Sequence, residues 1–185
     1  MSVDAATYAR LREIADRLPQ IPGIGQVEIA NGEIVMMMSP VRRHELAVIR
    51  IGRQLNEQLA TTHPGFVAHP GADLEDIGLG RLRRPDLMVF PESVLEEDAA
   101  AVYPADVLLA VEVVSKSNPE NDYDEKVRDY AAMGIPLYLL VDPRDGTGIV
   151  HSQPRYARRE SFVFGDVVPV GAWRIATGGL LTYGA

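Results

Sequence analysis

VLLAVEVV, residues 107–114, is an apolar run interrupted once, by Glu112. A strand with one wet face alternates polar and apolar residues, whereas a strand covered on both faces reads as a continuous apolar run. Turn-forming residues on either side keep this run too short for a helix, so it predicts a central, covered strand. An ionised carboxylate in such a strand carries a desolvation cost that its neighbours do not offset. Glu112 is therefore either a structural acid, satisfied by a partner cation or held protonated, or a carboxylate kept for chemistry.

Downstream of this strand comes a SKSNPEN loop, residues 115–121. Asp122 and Glu125 then have capping-box spacing with Asp122 as the cap residue, and Gly134 and Pro136 close the helix that follows. LYLLVD at 137–142 reads as a second buried strand. Upstream, PDLMVF at 85–90 reads as a strand that Pro85 opens, residues 70–84 as an irregular loop, and 66–69 as a short strand. A helix is predicted over 41–60, with Val41, His44, Val48, Ile51, Leu55 and Leu59 on one side and Arg43, Arg50 and Arg53 on the other. Before it, VEIA and EIVMMM flank Asn31-Gly32, a two-residue hairpin signal, because a type I′ turn needs positive φ at both central positions. An amphipathic helix is expected over 4–18, and short strands and turns with a loose C-terminal end over 147–185. The fold class is α/β (α+β): a central mixed β-sheet flanked by helices, with an N-terminal β-hairpin. The expectation is one domain, 1–185, with its core over about 27–143.

With 185 residues, 46% of them hydrophobic and 24% charged, the chain can fill one core. No stretch approaches the roughly 18 apolar residues of a membrane span, and the first residues lack the order of a signal peptide, so a cytoplasmic location without membrane partners is expected. There is no cysteine, which excludes disulfides and thiolate zinc sites and leaves oxygen or imidazole ligands for any metal. The formal net charge of -8 argues against nonspecific wrapping of nucleic acid, although an acidic active site adds to that charge and a local basic patch can still steer DNA.

The chain has two lysines, Lys116 and Lys126, both soon after Glu112. On the helix that follows, Tyr123, Lys126, Tyr130 and Met133 share the inward-leaning face, so the Lys126 ammonium can meet Glu112 there; alternatively its stem covers apolar surface and its head reaches water. His44 sits on the apolar side of its helix, where a satisfied core histidine is the usual case. Glu28 flanks the hairpin, the position of an exposed acid. His63, His69 and His151 show no ligand spacing to one another.

Asp86 in a PD pair, Glu112 in an EVV strand and the order of elements resemble the PD-(D/E)XK nuclease superfamily. The chain more closely resembles the Uma2 family (DUF820) of restriction-endonuclease-like proteins. The resemblance rests on VEIANGE, the SP before His44, RRPDLMVF, LLAVEVVSKSN, then Asp124, Lys126 and Tyr130, and GIPLYLLVDP. It implies a restriction-endonuclease-like core, hydrolysis of DNA, and Asp86, Glu112 and Lys126 as the catalytic set. It further implies Mg²⁺ or Mn²⁺ on Asp86, Glu112 and the Val113 carbonyl, with no organic cofactor. His44, Glu28, Ser115, Lys116 and Tyr130 become site-lining candidates. Two-strand cutting would need two sites, which makes a homodimer the expected partner arrangement.

The superfamily's lysine two residues after the glutamate is replaced here by Val114, and the resemblance gives its role to Lys126. Leu139 stands where Uma2 sequences usually have tryptophan, and Lys116 where they often have proline. Replacing Lys126 with methionine is expected to cost activity and little stability. The rival readings are a catalytically silent member that binds nucleic acid or protein, and a metal-dependent phosphoesterase acting on small nucleotides.

Overall fold

The computed structural model describes residues 3–116 and 119–184; Ser117 and Asn118 of the expected 115–121 loop lie outside the described residues. Its helices are α1 (Ala5–Asp16), α2 (Arg42–Thr62) and α3 (Lys126–Ala132). The strands, in chain order, are β1 (Ile24–Ala30), β2 (Glu33–Met38), β3 (Phe66–His69), β4 (Leu74–Asp76), β5 (Arg81–Arg83), β6 (Leu87–Pro91), β7 (Leu109–Val113), β8 (Leu137–Asp142), β9 (Thr147–Ser152), β10 (Arg158–Val163), β11 (Val167–Val170) and β12 (Trp173–Ala176).

The central sheet is mixed and six-stranded, in the order β10-β9-β8-β7-β6-β3. β7 pairs with β8 in parallel, joined through α3, and every other pair in this sheet is antiparallel. All five residues of β7 are buried, because α2 and the β11–β12 pair cover one face of the sheet and α3 covers the other. The first face packs Ile51, Leu55 and Leu59 of α2 with Val111, Leu139 and Trp173. The second packs Tyr130 and Val127 of α3 with Met88, Ala110 and Tyr138. The apolar run thus becomes the covered central strand that its pattern predicts.

A second sheet, ordered β2-β1-β5-β4, carries the N-terminal hairpin. Asn31 and Gly32 have φ of 54° and 81°, as a type I′ turn needs, and Ala30 pairs with Glu33 across it. Asp4 caps α1 through its side chain.

Several local expectations are corrected. Residues 70–84 are not wholly irregular: β4 and β5 form a hairpin, and β5 pairs with β1. Strands of three residues carry too little periodicity to be read from sequence. Asp122 is no helix cap; it is buried in a π-helical turn, Asn121–Glu125, that leads into α3. The C-terminal segment is docked, with Leu180 and Tyr183 buried and the Tyr183 hydroxyl donating to Val114 O at 2.8 Å.

Candidate active site

The register of β6 against β7 ends with Leu87 facing Val111, and Asp86 lies in the bend just before β6, at the end of β7 where Glu112 stands. Glu112 is on the face that α3 covers, where it meets Lys126 and Tyr130, whereas the Asp86 carboxylate lies at the end of the strand pair, between the Val113 amide and His44 of α2. Asp86 Oδ2 accepts the Val113 amide at 2.8 Å and pairs with His44 Nε2 at 3.1 Å. Burial pulls the His44 pKa down, but the hydrogen bond and charge of Asp86, with help from the Val113 backbone, outweigh it and leave the imidazole raised. His44 Nδ1 is buried and has no hydrogen-bond partner among the described residues.

Glu112 Oε1 receives Lys126 Nζ at 2.9 Å and the Tyr130 hydroxyl at 2.5 Å. Lys126 also lies 3.1 Å from Asp122 Oδ1 and 3.7 Å from Glu28 Oε1. Its side chain is only 4% exposed, so it does not snorkel. Burial alone would lower the Lys126 pKa, yet Glu112, Glu28, Asp122 and Asp86 together drive it well above the ordinary lysine value. Glu112 is pushed up, first by its burial and then by the neighbouring acids, against the pull of the Lys126 ammonium. The ammonium therefore stays charged, and Glu112 is held above the usual carboxylate range.

Glu28 is not the exposed hairpin acid that its position predicts. It is fully buried, accepting Arg83 Nη1 at 2.7 Å on Oε2 and the Arg84 amide at 3.2 Å on Oε1. The fully buried Arg83 also grips Asp129 Oδ2 through Nε at 2.8 Å and Nη2 at 2.6 Å, and Arg81 Nε reaches Asp129 Oδ1 at 3.0 Å. Two arginines from β5 thus anchor Glu28 and Asp129 behind the site, and β5 is one of the two strands that the sequence leaves unread.

These groups line a cavity of about 210 Å³. Asp86, Glu112, Lys126, His44, Ser115, Lys116 and the backbone neighbourhood of Val113 all border it. Glu28 and Tyr130 do not line it; each acts from behind, Glu28 on Lys126 and Tyr130 on Glu112. Lys116 donates to Gly184 O at 2.9 Å. Asp122 and Tyr183 also line the cavity and were not among the site residues read from sequence. Asp122 was legible in principle, since Asp122, Lys126 and Tyr130 recur at helical spacing and share one face, but the capping-box pattern competes for the same residues. Tyr183 carries no such signal, because its place follows from how the C-terminal segment returns across the sheet.

The family pattern that this chain matches, over residues 12–173, is Uma2, described as "Putative restriction endonuclease". The chain belongs to the Uma2 family. Among solved structures, a protein of Anabaena variabilis ATCC 29413, described as a "putative nuclease belonging to DUF820", superposes with a TM-score of 0.68, covering 93% of each chain at 19% identity. At that identity the likeness shows a shared fold. No curated protein matches the chain. The Uma2 match spans every strand and helix around the cavity but stops at Trp173, before the segment that brings in Tyr183.

Proposed function

We propose that this Uma2 chain is a metal-dependent endonuclease that hydrolyses DNA phosphodiester bonds, with Asp86 and Glu112 as metal-binding carboxylates and Lys126 as the catalytic cation. The observation that supports this reading is that two carboxylates, Asp86 just before β6 and Glu112 on β7, border one cavity beside the buried Lys126 ammonium.

The donor set suits a hard divalent cation. Among the described residues, no hydrogen bond engages Asp86 Oδ1 or Glu112 Oε2, so each acid keeps an oxygen uncommitted. Around Lys126 stand Glu112, Asp122, Glu28 and Asp86, more negative charge than one ammonium balances. Among the described residues, no three His, Asp or Glu side chains gather as a closed ligand cage. Two carboxylates and a main-chain carbonyl match the preference of Mg²⁺ or Mn²⁺ for a partial oxygen shell. When bound, such an ion supplies Lewis-acid polarisation of the phosphodiester and a more acidic water.

The side chains supply the remainder. His44 and the Val113 amide hold Asp86 Oδ2 and so aim its other oxygen. Tyr130 fixes the Glu112 rotamer from behind. Lys126 is held charged among the acids, where it can meet a phosphate oxygen as negative charge develops. Its three carboxylate contacts stand in for the lysine that Val114 replaces.

The test is cleavage of DNA, offered both as plasmid and as a single-stranded circle, with Mg²⁺ or Mn²⁺, run beside a panel of small nucleotides. The expected result is metal-dependent nicking by the wild type that is absent in Asp86→Ala and Glu112→Gln. Cutting that persists in both variants, or hydrolysis confined to small nucleotides, would refute the proposal.

A further inference from the structure

We infer that the substrate of this site is an unpaired nucleic-acid strand rather than an intact duplex. The inference rests on the nuclease reading above, and three features of the cavity support it.

The first is depth. Asp86, Glu112 and Lys126 have side chains only 12%, 2% and 4% exposed, at a cavity of about 210 Å³. A phosphate reaches them by entering the cavity, and a strand whose nucleotides can splay apart enters more readily than one held in a stacked duplex. The second is the chemistry of the rim. Met37, Met38, Pro40 and Val41 form one wall, with Met38 61% and Val41 50% exposed, while Tyr183, itself buried, backs the cavity. A duplex brings about one negative charge per 1.7 Å of its axis and is normally met by Lys and Arg. Apolar and aromatic side chains instead suit the faces of unstacked bases.

The third is where the cations are. The lining includes Asp86, Glu112 and Asp122 against Lys116 and Lys126. Lys126 is committed to the acids, and Lys116 donates to Gly184 O and sits 5.7 Å from the centre of the Tyr183 ring. Two arginines of α2 that sequence would offer to DNA are tied to the C-terminal segment, Arg43 to Thr182 O at 2.6 Å and Arg50 to Gly179 O. Arg43 and Arg50 thus help fasten this segment down, and the wall of Met37, Met38, Pro40 and Val41 keeps an apolar character suited to bases.

The test is fluorescence anisotropy with the wild-type chain in Ca²⁺, using a labelled single-stranded oligonucleotide and its blunt duplex at matched salt. The expected result is affinity for the single strand at least about tenfold above that for the duplex. Met38→Ala alters a mostly exposed side chain and leaves the fold intact; it should narrow that preference. Val41→Ala, at a half-exposed side chain of the same wall, should narrow it as well. Equal affinity, preference for the duplex, no binding of either form, or full competition by a mononucleotide would each overturn the inference. Cleavage of the same oligonucleotides in Mn²⁺ separates the two ideas. Strand-selective binding without cutting would sink the nuclease reading and leave this inference standing. Cutting the duplex as fast as the single strand would do the reverse.

Discussion

Lys126→Met keeps the length of the stem and removes the charge. In the native site the ammonium lies 2.9 Å from Glu112, 3.1 Å from Asp122 and 3.7 Å from Glu28. Removing it leaves these acids facing one another with little water. Deleting one partner of a buried ion pair typically costs about 3–5 kcal/mol. For a chain of this size, at about 2–4 °C per kcal/mol, melting should fall by about 6–20 °C. This corrects the sequence-based expectation of little change, which holds only for a lysine whose head reaches water. The sign with pH follows from Glu112. Its folded pKa is raised above the ordinary value of 4.5, so its protonated form stabilises the folded state below that value, and the contribution is lost as pH rises through the folded pKa. Without the opposing ammonium that folded pKa rises further, so the deficit of the variant should grow from acidic to alkaline pH. Melting curves across this range, with Lys126→Met/Glu112→Gln as the rescue, provide the assay. The double variant should recover more than half of the loss at alkaline pH. A single variant that melts with the wild type at every pH, or a double variant no better than the single one, would refute the reasoning.

Turnover of a DNA substrate with Mg²⁺ should fall by about 10²-fold or more in Lys126→Met and stay near wild type in Lys116→Met; loss in Lys116→Met alone would transfer the catalytic role to Lys116. Divalent metal should raise the melting temperature of the wild type by binding the native state alone, and should leave Asp86→Ala unmoved; equal shifts in both would place the ion elsewhere. Glu112→Gln should lose metal-dependent cleavage yet melt at or above the wild type, because it removes a buried charge and keeps the shape; an unfolded variant would make Glu112 structural. Arg83→Met should destabilise by about 3–5 kcal/mol, since it strands Glu28 and Asp129, and denaturant titration would read the loss.

Much of this protein was legible residue by residue. The apolar run around Glu112 marked the covered strand, Asn31-Gly32 marked the hairpin, and the 3.6-residue period marked α2, because each signal is local and follows from side-chain direction along one element. Asp86, Glu112, Lys126 and His44 were picked out by sequence reading and resemblance, and the structure brings them to one cavity. Distance and burial were not legible. Glu28 looked like a hairpin acid on the surface and lies fully buried, because β5, distant in the chain, pairs with β1 and brings Arg83 to it. Asp122 looked like a cap and turned inward, because a π-helical turn placed it four residues before Lys126 on the same face. The C-terminal end looked loose, yet Tyr183 hydrogen-bonds Val114 from 69 positions along the chain. Sequence by itself set the longer strands and helices and which charged residues demand an explanation. Only the tertiary structure decided which charges meet, because the partners of a buried charge come from strands and turns far apart in the chain, and no local pattern records that encounter.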